Sequence, residues 1–139
     1  MNIYLDDKRL PSQSHNIAKG LGFRYSYSGA WLILRNFQDF TRIIDEDFNK
    51  IGLISFDHDL ACFDPITKEE LTGLDAVDYV IAYCLENDKK FPDWYAHTDN
   101  SVGRENIIGR ITNYLKVVEK KNMTGWCYWH RGILKTVFV

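Results

Sequence analysis

Long hydrophobic runs are missing from this chain. No apolar stretch approaches the ~20 residues that a membrane-spanning helix needs, and no basic segment followed by an apolar one stands at the N-terminus. A soluble, cytoplasmic protein without a membrane partner is the expectation. Cysteine is scarce and poorly spaced for chemistry. Cys62, Cys84 and Cys127 are odd in number and include no Cys-x-x-Cys pair, which argues against a zinc ribbon, a thioredoxin-type pair or a disulfide framework. A surplus of positive charge is also absent. With a formal net charge of −2 there is no global field to attract nucleic acid, whose binding rests on Lys and Arg at phosphates, although a small phosphorylated ligand stays compatible. Internal repeats, low-complexity tracts and interdomain linkers are lacking too. The 45% apolar and 26% charged content argues against disorder, and 139 residues suit one domain spanning 1–139.

What the chain does contain is apolar segments that end in ionisable groups. Ile51 to Phe56 reads as a buried strand, and Asp57-His58-Asp59 follows where it must stop. Asn2 to Leu5 is a second strand, followed by Asp6-Asp7-Lys8-Arg9. Trp94 to His97 is a third, opening into Thr98-Asp99-Asn100-Ser101. Between them lie helical patterns. From Gly29 to Phe48 the residues Ile33, Phe37, Phe40, Ile44 and Phe48 recur at spacings of three and four. A capping box, Thr72-Gly73-Leu74-Asp75, starts a helix expected to bury Leu74, Val77, Ile81, Cys84 and Leu85 and to end near Asp88. Gly103 to Glu119 carries the clearest stripe: Ile107, Ile108, Ile111, Tyr114, Leu115 and Val118. Residues 6 to 22 read as a loop with a short turn near Ile17, Phe23 to Tyr27 as a half-buried strand, 57 to 72 as a polar loop, and Met123 to Val139 as one or two closing strands. The alternation of strand and helix implies an α/β fold with a mainly parallel open sheet and helices on its faces.

In such sheets ligand crevices lie outside the carboxyl ends of the strands, so Asp6, Asp7, Asp57, Asp59 and His97 are expected to converge. Clustered carboxylates repel unless a cation or protons relieve them, and oxygen-rich sites suit Mg²⁺, Mn²⁺ or Ca²⁺. Each acid taken alone also reads as a solvated strand end. His58 and His97 could serve as general acid and base, since an unperturbed imidazole titrates near neutral pH and can also bind metal, although a lone histidine is more often structural. Arg9 and Arg104 could grip a phosphate, and Asn100 and Gly103 stand at a helix start whose amides attract anions; equally, Asn100 or Ser101 caps that helix and Arg104 pairs with a carboxylate. His97-Thr98-Asp99 is not a His-x-Thr/Ser phosphoesterase motif, and His58-Asp59 follows a strand rather than lying in a helical bundle.

Leu5-Asp6-Asp7-Lys8-Arg9-Leu10-Pro11, Phe56-Asp57-His58-Asp59-Leu60, Thr72-Gly73-Leu74-Asp75, and His97 with Val102-Gly103-Arg104-Glu105 together resemble the cyclic-phosphate processing receiver domain family over residues 2 to 115, leaving 116–139 as an extension. The resemblance implies a receiver-like, flavodoxin-like fold whose acid cluster handles cyclic phosphates. Asp6-Asp7 and Asp57 look like the receiver's acidic pair and phosphoacceptor, and Thr98 lies near its hydroxyl position. Three positions depart from the pattern: Ala61 stands for an expected glycine, and Asp99 and Ser101 for an alanine and a proline. The first receiver helix is expected to be reduced to a loop, with the aromatic tail covering the exposed sheet face, and Lys135 is the candidate for the fifth-strand lysine. The resulting expectation is a phosphoesterase acting on a cyclic phosphate or cyclic-nucleotide-type ligand. Asp6, Asp7 and Asp57 would hold Mg²⁺ or Mn²⁺, Asp57, His58, Asp59 and His97 would be catalytic, and Arg9, Asn100, Gly103 and Arg104 would bind phosphate. The alternatives are a signalling module phosphorylated on Asp57 and a binder that does not turn its ligand over.

Overall fold

The computed structural model describes residues 1–14, 19–20, 27 and 29–130, of which 19–20 and 122–130 in backbone course only. In chain order these form β1 (Asn2–Leu5), a 3₁₀ turn at Pro11–Gln13, β2 (Lys19–Gly20), β3 (Leu32–Leu34), α1 (Phe37–Asp47), a 3₁₀ turn at Phe48–Lys50, β4 (Leu53–Phe56), β5 (Cys62–Phe63), β6 (Glu70–Leu71), α2 (Gly73–Asn87), β7 (Asp93–Ala96) and α3 (Ser101–His130). Met1–Ile108 form one compact unit and Gly109–Val139 group separately. None of the described helices is long and apolar enough to cross a membrane.

The main sheet has the order β2-β7-β4-β1-β3, with β3, β1, β4 and β7 parallel and β2 antiparallel at the β7 edge. Taking the parallel strands alone, the first is flanked by the second and third and the fourth lies outside, which is the receiver-like, flavodoxin-like order. The strand order reverses between β1 and β4. A crevice is therefore expected there, outside their carboxyl ends.

Register makes that expectation specific. Leu34, Leu5, Phe56 and Ala96 are paired in one row across the sheet. The ladder continues one residue further, with Asp6 N–H on the Leu34 carbonyl (3.1 Å), Asp57 N–H on Leu5 (3.0 Å) and His97 N–H on Phe56 (2.9 Å). The next row is thus Arg35, Asp6, Asp57 and His97.

The two sheet faces differ. On one, Phe56 meets Phe40 of α1 edge to face at 6.0 Å, and Phe40 and Ile44 are fully buried. The other face carries Tyr4, Ser55 and Tyr95, and here Tyr27 and Trp31 pack against the sheet. Among the described residues no helix longer than the 3₁₀ turn at Pro11–Gln13 lies between β1 and β3; residues 15–18, 21–26 and 28, on which the expected reduction of the first receiver helix also falls, lie outside the described residues. Among the described residues the aromatic cover of this face comes from Tyr27 and Trp31; the expected covering role of the tail falls on side chains outside the described residues.

Several sequence-based boundaries need correction. Ile33 belongs to β3 rather than to the first helix, because the Trp31-Leu32-Ile33-Leu34 run pairs with β1 and Asn36 then caps α1. The Asn36 side chain accepts the Asp39 amide at 2.8 Å. Replacing Asn36 by alanine should destabilise the protein by about 1 kcal/mol, read from urea unfolding, since it orphans a first-turn N–H. Tyr27 is not in a strand, and Phe23 to Arg24, Tyr25 and Ser26 lie outside the described residues, as does Ile17. Lys19–Gly20 pairs with Tyr95 and Ala96 inside what reads as loop, and the 57–72 segment holds the β5–β6 hairpin.

In α2 the capping box forms, with Thr72 N–H on the Asp75 carboxylate at 2.7 Å, and Asp88 ends the helix in the left-handed region. Its buried side is Gly73, Ala76, Val77, Val80 and Cys84. Leu85 is instead 62% exposed. The α3 stripe buries Ile107 and Ile111. That helix starts at Ser101 and continues over 123–130, where closing strands were expected; no proline interrupts the run. Residues 131–139, Lys135 among them, lie outside the described residues.

Candidate functional site

Asp6 follows β1 with its side chain wholly buried. Its Oδ1 accepts the backbone N–H groups of Lys8 (2.8 Å) and Arg9 (2.7 Å), an arrangement that folds the Asp6-Asp7-Lys8-Arg9 turn around the carboxylate. Its Oδ2 meets His97 Nε2 at 2.9 Å and the Arg9 guanidinium at 3.7 Å. Burial raises the Asp6 pKa, but the bonds from His97 and from the two amides outweigh it and hold the group at about 2. Asp6 is a fixed anion.

Asp57, at the end of β4, is 3% exposed. Burial first, and then the charge of Asp6, push its pKa up to about 6, against the opposing hydrogen bonds from the His58 amide and the Thr98 hydroxyl and the charge of Arg9. The two neighbouring acids are therefore driven apart. One stays ionised, and the other gains and loses its proton close to neutrality.

His97, directly after β7, is fully buried and stacks on Tyr4 with centroids 4.4 Å apart and planes 10° apart. Burial lowers its pKa more than the Asp6 bond raises it, so the imidazole is neutral. Asp6, Asp57 and His97 each offer a ligand atom within 4.8 Å of the others. Asp7 is not in that group. It lines the same open cleft, of about 510 Å³, into which Asp6, Asp57, Asp59, Glu70 and Asp99 also face, against the bases Lys8 and Arg9.

The remaining predicted residues divide. Arg9 lies in the cleft wall, paired with Asp99 at 2.9 Å as well as with Asp6. Asp59 accepts from His58 Nδ1 at 3.0 Å and from Asn100 at 3.2 Å, which lowers its pKa. His58, Asn100, Gly103 and Arg104 are not among the residues lining the cleft. Asn100 caps α3, its side-chain oxygen accepting the Gly103 amide at 3.0 Å. Arg104 donates to the Thr98 carbonyl at 3.2 Å. Gly103 leaves room for the His58 ring, whose Cγ would lie 2.4 Å from a Cβ placed there.

One residue, Arg35, escapes sequence reasoning, and another, Thr98, enters it only through the resemblance. Arg35 occupies the site row and donates through Nη1 to the carbonyls of Asp6 (3.0 Å) and Arg9 (2.7 Å), clamping the acidic turn from below. Its signal was the same as elsewhere, an ionisable residue straight after an apolar strand, but the strand had been read as helix. Thr98, 1% exposed, lines the cleft and holds Asp57; its place near the receiver hydroxyl position was the clue.

A family model described as cyclic-phosphate processing receiver domain matches residues 1–113. Neither the comparison with curated proteins nor that with solved structures found a match.

Proposed function

This chain belongs to the cyclic-phosphate processing receiver domain family, and from that premise we propose that its cleft is a divalent-metal phosphoesterase site for a cyclic phosphate or cyclic-nucleotide-type ligand. One observation carries the reading: the carboxylates of Asp6 and Asp57 place ligand oxygens within 4.8 Å of each other, with His97 behind Asp6, in a cleft where six carboxylates face two bases. A phosphate would be repelled from such a wall unless a cation accompanied it.

The donor set fits a hard cation. Asp6 and Asp57 offer carboxylate oxygens, and the charge conflict that raises Asp57 is what a cation relieves. Mg²⁺ or Mn²⁺ held by Asp6 and Asp57, with Asp7 beside them, would supply charge neutralisation and polarise the phosphoryl group. The protein's own groups do the rest. Arg9 exchanges Asp99 for the phosphate oxygens and stabilises charge that develops there. Burial and the Asp6 charge bring the Asp57 pKa to about 6 without a cation, and with a cation bound Asp57 stays ionised as a ligand. His97 orients Asp6, while His58 with Asp59, and Asn100 with Gly103 and Arg104, hold the two loops that form the walls.

The test is a panel of cyclic mono-, di- and oligonucleotides and ADP-ribose derivatives, assayed with Mg²⁺, Mn²⁺ or EDTA. Turnover that needs the metal is expected for one class. Full turnover in EDTA would remove the metal role, and no turnover or binding across the panel would remove the reading. A second reading rests on the Thr98 hydroxyl beside Asp57: Asp57 accepts a phosphoryl group as in a receiver. A small phosphodonor would then add phosphate to the intact mass, and Asp57→Asn would not take it.

A further inference from the structure

Behind His97, away from the cleft, a line of buried hydroxyls continues the site into the aromatic face of the sheet. Tyr27 Oη lies 2.9 Å from Ser55 Oγ, Ser55 Oγ lies 2.7 Å from His97 Nδ1, and His97 Nε2 lies 2.9 Å from Asp6 Oδ2. From this geometry we infer that the Asp6 carboxylate holds the single His97 proton on Nε2 and that Ser55, backed by Tyr27, is a positioning residue that donates to Nδ1 and so fixes the imidazole as a hydrogen-bond donor to Asp6.

The protons can be placed from the carboxylate end. Oδ1 of Asp6 already accepts two backbone N–H groups, and Oδ2 is approached by the Tyr4 hydroxyl at 3.4 Å and by the Arg9 guanidinium at 3.7 Å. An oxygen pair so surrounded by donors is an ionised acceptor, and Nε2 must bring the hydrogen to it. A neutral imidazole then has a bare Nδ1, which accepts from the Ser55 hydroxyl. Ser55 has one proton and gives it to His97, so its oxygen accepts from Tyr27. Donor and acceptor thus alternate along the line.

Its parts are fixed by the fold. Ser55 is in the middle of β4, one residue before the row that ends in Asp57, and points to the opposite face from Phe56. Tyr27 packs edge-on against Tyr4 at 6.0 Å and Tyr95 at 5.5 Å, and its backbone carbonyl accepts from the Trp31 indole at 3.1 Å. Tyr4, in turn, stacks on the His97 ring and bonds to the Ser14 hydroxyl. The aromatic face is thus more than packing. It orients the imidazole that orients Asp6, much as a carboxylate behind a metal-bound histidine fixes its tautomer, here with the order reversed. In this state Nε2 has no lone pair to offer, which makes His97 neither the base nor a ligand. The consequence for catalysis rests on the reading of Asp6 as a site carboxylate; the proton position does not.

The experiment is a long-range ¹H–¹⁵N correlation spectrum of the full chain with labelled histidine, which reports which imidazole nitrogen is protonated. Wild-type His97 is expected to give one neutral form with the proton on Nε2. In Ser55→Ala the proton stays on Nε2, where Asp6 still accepts it, and the Nδ1 resonance moves toward that of an imine nitrogen without a hydrogen bond; Ser55→Thr restores its wild-type position, and Tyr27→Phe moves it in the same direction as the alanine by a smaller amount. A proton on Nδ1 or on both nitrogens in the wild type, or an unshifted Nδ1 resonance in Ser55→Ala, overturns the assignment. If the alanine variant does not fold, the wild-type proton position and the Nδ1 shift in Tyr27→Phe decide. These spectra need neither metal nor phosphate, so they are unaffected if the phosphoesterase reading fails.

Discussion

Replacing Asp57 by asparagine is expected to raise stability at pH 7.5 by about 1–3 kcal/mol while abolishing turnover of a cyclic phosphate. The side chain is almost wholly buried beside the Asp6 anion, and burial and that charge hold its pKa at about 6, well above the ordinary carboxylate value. The sign follows from linkage. An acid whose pKa is raised by folding binds its proton more tightly in the folded state, so its ionised form is a cost, at most ~3 kcal/mol for a shift of this size. That cost is fully present above pH 6 and is removed as pH falls from about 6 toward 4, where the unfolded chain also becomes protonated. Wild-type stability should therefore rise on acidification through this window, whereas Asp57→Asn should be flat in the contribution from this site. Urea unfolding at pH 7.5 and 5, with the cyclic-phosphate assay beside it, checks both halves. A variant less stable than wild type at pH 7.5, or one that retains activity, contradicts the role given to Asp57.

Gly73→Ala is expected to have the opposite character: a loss of about 3 kcal/mol or more, through backbone overlap rather than charge. A Cβ at Gly73 would sit 1.7 Å from the Asp57 carbonyl oxygen and 2.7 Å from its carbon, atoms that cannot turn aside. The contact is close because the Gly73 amide donates to the His58 carbonyl at 2.8 Å, docking the first turn of α2 onto the site loop. Gly103→Ala meets the His58 ring at 2.4 Å, which rotation can partly relieve, so its loss should be smaller. Gly109 has nothing within 4 Å of its Cβ position, and alanine there should be neutral or gain up to ~1 kcal/mol from helix propensity. Thermal and urea unfolding of the three variants should give that rank order. Equal effects would mean that the glycines act only through propensity.

These glycines show what was legible in the sequence and what was not. The motif Thr72-Gly73-Leu74-Asp75 announced a helix start, and the capping box is there. Nothing in the spacing told that its glycine faces Asp57. Strands β1, β4 and β7 could be read because each is an apolar run halted by ionisable residues, and those residues do meet at Asp6, Asp57 and His97. Strand β3 was hidden because Ile33 stands four residues before Phe37 and so mimics one more helical turn. Asn36, with its carboxylate three residues on, was the overlooked boundary. With β3 hidden, Arg35 was hidden too. In α2 the larger side chains, Leu74, Ile81 and Leu85, drew the predicted face, whereas the sheet side is formed by smaller ones at Ala76 and Val80; period alone does not rank two apolar stripes on one helix. The histidines could not be separated by composition. His58 and His97 both follow strands beside acids, and only the register places His97 in the site row and His58 beyond it.

The short pairing of Lys19 and Gly20 with Ala96 and Tyr95 has a consequence of a different kind. In the receiver order a fifth parallel strand would lie beside β7, and here two residues of the first loop occupy that position. An unpaired strand edge offers amides and carbonyls to any second chain that can lie alongside. By occupying the end of β7 nearest the cleft, β2 closes that edge to self-recognition at its most hazardous point, next to Trp94, Tyr95 and the site row. The Lys19–Gly20 pairing thereby also keeps a second chain from adding a strand at that end of β7.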